Sequence, residues 1–149
     1  MTDPNLEALY QETILEHNRR PRNFRALDGA TGHAEGRNPL CGDQIGVYVR
    51  MDGDQVAEVS FQGQGCAISK ASASLMTAAV AGKSRAEAEA LFERFHAMVT
   101  GEARPDASLG SLKVLSGVSK YPIRVKCATL AWHAMKAALA GEQTTVSSE

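Results

Sequence analysis

Cysteine is scarce in this chain, three in 149 residues, and no two of the three form a Cys-x-x-Cys pair. The missing pair excludes a thioredoxin-like redox motif, and an odd count turns the reading from a disulfide framework toward metal binding or thiol chemistry. An excess of one charge is lacking too: 16 Lys and Arg stand against 17 Asp and Glu, for a formal net charge of -1. Without a general phosphate-attracting field, no nucleic-acid partner is expected. No apolar run approaches the ~20 residues of a membrane span. Met1-Thr2-Asp3-Pro4 shows neither the basic nor the apolar region of a secretory signal. No membrane contact is therefore expected, and the cytoplasm is the expected location. Aromatic residues make up only 5%, yet 44% of the chain is hydrophobic. That is enough for a single domain with a core of ordinary size and no staples.

What is present alternates clearly between helical and strand-like spacing. Asp3 and Pro4 open a helix over residues 4 to 17 that carries Leu6, Leu9, Tyr10, Thr13, Ile14 and His17 on one face. Four arginines then crowd the proline-broken segment from Arg19 to Arg25, which reads equally as a solvated loop or as a docking patch for an acidic surface. Glycines at 29, 32 and 36 predict that any strand near His33 to Arg37 is short. Ile45, Val47, Val49 and Met51, then Ala57, Val59 and Phe61, alternate as two antiparallel strands joined at Asp52-Gly53. From Cys66 the period becomes helical and stops at Gly82. Ser84 and Glu87 form a capping box for the next helix, with Ala88, Leu91, Phe92, Phe95, Met98 and Val99 as its apolar stripe. Residues 100 to 111 read as a polar connection, and Leu112 to Val118 as one or two helical turns. Pro122 opens a last helix, with Ile123, Cys127, Leu130, Ala131, Ala134 and Ala138 on one face, that ends at Gly141. One domain over residues 1 to 141 and a disordered tail over 142 to 149 are expected.

The chemistry gathers where glycine relieves the backbone around cysteine. Cys41 and Asp43 are two apart in Asn38-Pro39-Leu40-Cys41-Gly42-Asp43, so an extended segment points both side chains the same way and one ion could meet both. Cys66, in Gly63-Gln64-Gly65-Cys66, falls at a helix start, where unpaired amides favour a negatively charged sulfur. Cys127 lies near the start of the last helix beside Arg124 and Lys126. Three thiolates and a carboxylate match the ligand set of a four-coordinate zinc ion. The two cations would offset the surplus negative charge. Plainer roles stay open: Cys127 also suits a small core hydrophobe, and Asp43 also suits a turn cap. No histidine is an attractive ligand, since His133 lies six residues past Cys127, about 240° around the helix, and His17, His33 and His96 lack spaced partners.

At these residues the chain resembles the U-type iron–sulfur cluster assembly proteins. The matching stretches are Ile14-Leu15-Glu16-His17 through Pro21-Arg22-Asn23, then Asn38 to Asp43, then Phe61 to Ser72. The resemblance implies an α+β fold, a small antiparallel three-stranded sheet with helices packed on it. Within the family, the IscU-like branch carries a His before its third cysteine and a Leu-Pro-Pro-Val-Lys motif. Here Lys126 precedes Cys127, and Tyr121-Pro122-Ile123-Arg124-Val125 stands at the motif. The SufU-like branch has an insertion before the third cysteine, matched by residues around 100 to 118, and an Arg-x-Lys-Cys-Ala ending, matched by Arg124 to Ala128.

Resemblance to SufU implies a zinc-dependent sulfurtransferase that takes persulfide sulfur from a SufS-type cysteine desulfurase and passes it toward a downstream Suf-type cluster scaffold. Mapped by motif, the zinc ligands are Cys41, Asp43, Cys66 and Cys127. Cys41 is then the sulfur acceptor, and Arg124 or Lys126 steadies the migrating charge. The alternatives are an assembly scaffold holding a [2Fe-2S] cluster on the same ligands, and a binding module in which zinc only fastens the last helix to the hairpin.

Overall fold

The computed structural model describes residues 4–40, 42–141 and 143–147. The elements follow in the order α1 (Pro4–Arg19), β1 (Gly32–Asn38), β2 (Asp43–Asp52), β3 (Gln55–Gln64), α2 (Ala67–Val80) and α3 (Arg85–Val99). A 3-10 segment η1 (Ala107–Lys120), then α4 (Pro122–Leu139) and β4 (Gln143–Ser147), complete the chain. Strands β1, β2 and β3 form the antiparallel three-stranded sheet, and β4 adds a fourth strand, parallel to β1, in the order β3-β2-β1-β4. Helix α4 lies across β1 and β2 and α2 meets β3, while α1 packs on α2, and α3 on α4 and η1.

Burial follows the period-two pattern on β2, where Ile45, Val47 and Val49 are fully buried. On β3 the register passes from Arg50↔Glu58 to Met51↔Val56, so a bulge skips Ala57. Val56 therefore faces the core where alternation alone had placed Ala57. Gly53 takes φ 61° in the turn between the paired Asp52 and Gln55. The capping box at Ser84 and Glu87 is present, and all six apolar residues read as the α3 stripe are buried.

Strand β1 is seven residues long, longer than its glycines had suggested. Its inward positions are Gly32, Ala34, Gly36 and Asn38, and smallness there has a cause. A Cβ on Gly32 would stand 1.9 Å from the carbonyl oxygen of Ala138, and one on Gly36 would stand 3.0 Å from the Leu130 side chain. These glycines bring α4 close to the sheet rather than break the strand.

Three further expectations change. The tail read as disordered supplies β4 over residues 143–147; Thr144, Thr145 and Val146 are β-branched and meet the open edge of β1. The segment after Asp106 is longer than one or two turns, because Leu109, Leu112, Leu115 and Val118 recur every three residues and are buried. That spacing lines one edge of a 3-10 helix, kinked at Gly110. On α1, Leu9 is 60% exposed although it belongs to the apolar face, and on α4 Ile123 is 57% exposed.

Candidate metal centre

The centre is assembled from three elements. Asp43 is the first residue of β2, follows Gly42 at φ 71°, and is buried. Cys66 caps the N-terminus of α2 in extended conformation, and its sulfur accepts the Ser69 backbone N–H at 3.4 Å. Cys127 sits in the second turn of α4 and is buried. One carboxylate oxygen of Asp43 and the sulfurs of Cys66 and Cys127 lie within 4.8 Å of one another. Cys41 lies outside the described residues.

The carboxylate is held from two sides. Asp43 Oδ1 accepts the Cys66 N–H at 2.9 Å, and Oδ2 accepts the Ser69 hydroxyl at 2.6 Å. The single Ser69 proton goes to this carboxylate rather than to the Cys127 carbonyl oxygen at 3.2 Å. Asn38, buried at the end of β1, donates its side-chain N–H to the Cys127 sulfur at 3.8 Å, while its Oδ1 accepts the Leu40 N–H. Gly65 makes this approach possible, since a Cβ there would lie 2.6 Å from Asp43 Oδ1. Gly63 takes φ 142°, and a Cβ on it would meet the Gln44 carbonyl oxygen at 2.0 Å. Gly65 is therefore a steric requirement of the centre, and Gly63 one of the β2–β3 pairing that leads to it.

The donors fit a divalent metal of the zinc kind. Tetrahedral zinc with sulfur at ~2.3 Å and oxygen at ~2.1 Å keeps its donors roughly 3.6–3.8 Å apart. The spread here exceeds that by at most ~1 Å. Each Asp43 oxygen keeps a lone pair beyond its hydrogen bond, and two sulfurs with one oxygen form a donor set of the right softness.

Of the residues expected from sequence, Asp43, Cys66 and Cys127 converge. Arg124 is exposed, with its guanidinium over the Tyr121 ring at 4.5 Å, and Lys126 is half-buried. Two residues that hold the centre, Asn38 and Ser69, lie inside the Asn38–Asp43 and Phe61–Ser72 stretches without a role assigned to them from sequence. Their signal was position: Asn38 ends a strand opposite Asp43, and Ser69 lies one helical turn past Cys66.

Comparison with known proteins fits this arrangement. The family described as NifU-like N terminal domain matches residues 9–128. The chain belongs to this family. Among curated NifU-like relatives, the iron–sulfur cluster assembly scaffold protein IscU of Streptococcus pyogenes serotype M1 is 44% identical over 135 residues, 90% of this chain and 84% of that one. The zinc-dependent sulfurtransferase SufU of Bacillus subtilis strain 168 is 41% identical over 140 residues, 93% of this chain and 95% of that one. A solved structure from Fervidobacterium islandicum AW-1 superposes with a TM-score of 0.83 at 33% identity, covering 89% of this chain and 98% of that one. It is described as a candidate iron–sulfur cluster assembly scaffold protein for the SUF system. No helix among the described residues is long and apolar enough to cross a membrane.

Proposed function

We propose that this NifU-like chain is a zinc-dependent sulfurtransferase of iron–sulfur cluster assembly, accepting persulfide sulfur from a SufS-type cysteine desulfurase. The observation that carries the reading is the convergence of the Asp43 carboxylate with the Cys66 and Cys127 sulfurs. Cys41, two residues before Asp43 in the chain, is the fourth ligand in this reading. Likeness to the Bacillus subtilis relative named as a zinc-dependent sulfurtransferase supports the choice of metal and activity. Lys126 before Cys127 supports it further, as it stands where the scaffold branch carries histidine.

Zinc, when bound, keeps the thiols deprotonated and ties β2, α2 and α4 together. The Cys41 thiolate attacks the outer sulfur of the partner's cysteine persulfide. A new S–S bond forms at Cys41, the old one breaks, and the partner cysteine leaves as a thiolate. Ser69 and the Cys66 N–H keep Asp43 in place through the exchange. Arg124 and Lys126, on the α4 turn before Cys127, supply positive charge once Arg124 swings off Tyr121.

The test combines metal analysis with desulfurase turnover. Stoichiometric zinc in a colourless protein that speeds the desulfurase, and loss of that effect in Cys41→Ala with the fold retained, are the expected results. Normal sulfur transfer by Cys41→Ala would overturn the role of Cys41. The 44% identity to a relative named as a scaffold favours a second reading, a [2Fe-2S] cluster held as cargo on the same residues. A visible chromophore after anaerobic purification, with no effect on the desulfurase, would select it.

A further inference from the structure

A second concave site lies at the opposite end of α2 from the metal centre. It is a cavity of about 460 Å³ between α1, α2, α3 and η1. Four basic side chains line it, His17, Arg22, Lys83 and Arg94, and no carboxylate does. Among the described residues, none of Arg22, Lys83 and Arg94 forms an ion pair. Arg94 and Lys113 both act on Asp106, which is already engaged. It caps η1, accepting the Ser108 N–H at 2.8 Å and the Ser108 hydroxyl. Glu16 acts on His17 from the α1 side, and Glu87 lies near Lys83 but bonds within its own capping box. The floor is apolar, built from Leu75 and Leu91, and the η1 wall includes the kink at Gly110.

We propose that this cavity binds a small organic anion, a phosphate or carboxylate head on a short apolar body. Three permanent cations with no carboxylate in the lining give the cavity a positive wall that an anionic head would meet, with Arg94 offering a forked donor and Arg22 the part of its fork not donating to the Arg20 carbonyl oxygen. The leucine floor offers surface to an apolar body, which inorganic phosphate lacks. The volume falls in the range of small-molecule sites, ~300–1,000 Å³. His17 adds a reporter: its ring Nδ1 lies 2.7 Å from the Ser74 hydroxyl, and burial and then Arg22 hold its pKa below the ordinary value. An anion in the cavity would raise it again.

The experiment titrates the full-length, zinc-loaded protein with phenyl phosphate, benzoate, inorganic phosphate, benzyl alcohol and an acidic peptide, following the His17 ring by NMR. Saturable binding of phenyl phosphate or benzoate is expected, whichever is tighter naming the head group. It should be roughly tenfold tighter than inorganic phosphate, absent for benzyl alcohol, and accompanied by an upward shift of the His17 pKa. Arg94→Glu should weaken it at least about tenfold, and Arg94→Lys less, with zinc content unchanged in both. The exposed position of Arg94 makes both variants compatible with folding, which circular dichroism checks. Equal affinity in the wild type and Arg94→Glu, no saturation with either organic anion, or preference for the acidic peptide would overturn the proposal.

Discussion

The two ends of α2 are built from the same kind of residue and do opposite things. At its N-terminus Ser69 fixes a buried carboxylate beside two sulfurs, and metal-donor groups gather. At its C-terminal end Ser74 accepts the Arg22 N–H at 2.8 Å, Thr77 accepts the Asn23 side-chain amide at 3.1 Å, and cationic side chains gather. Between them Ser72 donates to the Ala128 carbonyl oxygen at 2.5 Å and accepts the indole N–H of the buried Trp132. Small hydroxyls let a helix be buried nearly all round and still carry polar attachments, because each finds a partner outside the helix. Sign at each end is set by what the surrounding elements deliver, Asp43 of β2 in one case and, in the other, His17 of α1, Arg22 after it, Lys83 before α3 and Arg94 of α3.

The contrast can be broken end by end. Asp43→Ala should have the largest effect. On the proposed reading Asp43 is a direct ligand, so its removal should weaken zinc beyond the ~10–100-fold typical of a supporting residue and abolish the metal-dependent rise in melting temperature. Competition against a chelator dye and thermal melts with and without zinc measure both.

Ser69→Ala keeps every proposed ligand and removes the 2.6 Å support of Asp43. Zinc affinity should fall ~10–100-fold and stability by ~1–3 kcal/mol, read by the same competition and by urea unfolding. At the other end, Thr77→Val preserves shape but removes the acceptor of Asn23 and the donor to the Ser74 carbonyl oxygen. A loss of ~1 kcal/mol in urea unfolding with zinc affinity unchanged is expected. A fall in zinc affinity there would show that the ends are coupled.

The smallest effect is one of pH. His17 and His133 both have pKa values lowered from 6.5, first by burial, then by Arg22 for His17 and by His96 and Lys136 for His133. Their folded values lie below their unfolded ones, so the unfolded chain binds more protons in between. Stability contributed by the neutral rings is therefore present above 6.5 and is lost as pH falls through the folded values. Urea midpoints of the wild type should drop on that descent, and less so in His133→Gln.

Where local chemistry dominates, the sequence was readable. Alternation at Ile45, Val47 and Val49, the Ser84–Glu87 box and Pro122 each placed an element by its own residues. Cys66 was legible from its glycine-flanked turn, whereas Asp43 and Cys127 kept plainer roles open until the family resemblance mapped them, since Cys127 has no glycine beside it. What escaped was set by neighbours. Gly32 and Gly36 look like strand breakers until α4 is seen lying against them, and β4 depends on the free edge of β1. The bulge that turns Val56 inward is a property of a strand pair. Asn38 and Ser69 gained their roles only once the Asp43 and Cys127 side chains were placed beside them.

Zinc K-edge X-ray absorption on the purified protein tests the central claim most directly, by counting sulfur and oxygen around the ion. Three sulfurs at ~2.3 Å with one oxygen at ~2.0–2.2 Å, falling to two sulfurs in Cys127→Ser, is the predicted result. A shell of nitrogen and oxygen alone, or a sulfur count unchanged in Cys127→Ser, would contradict it.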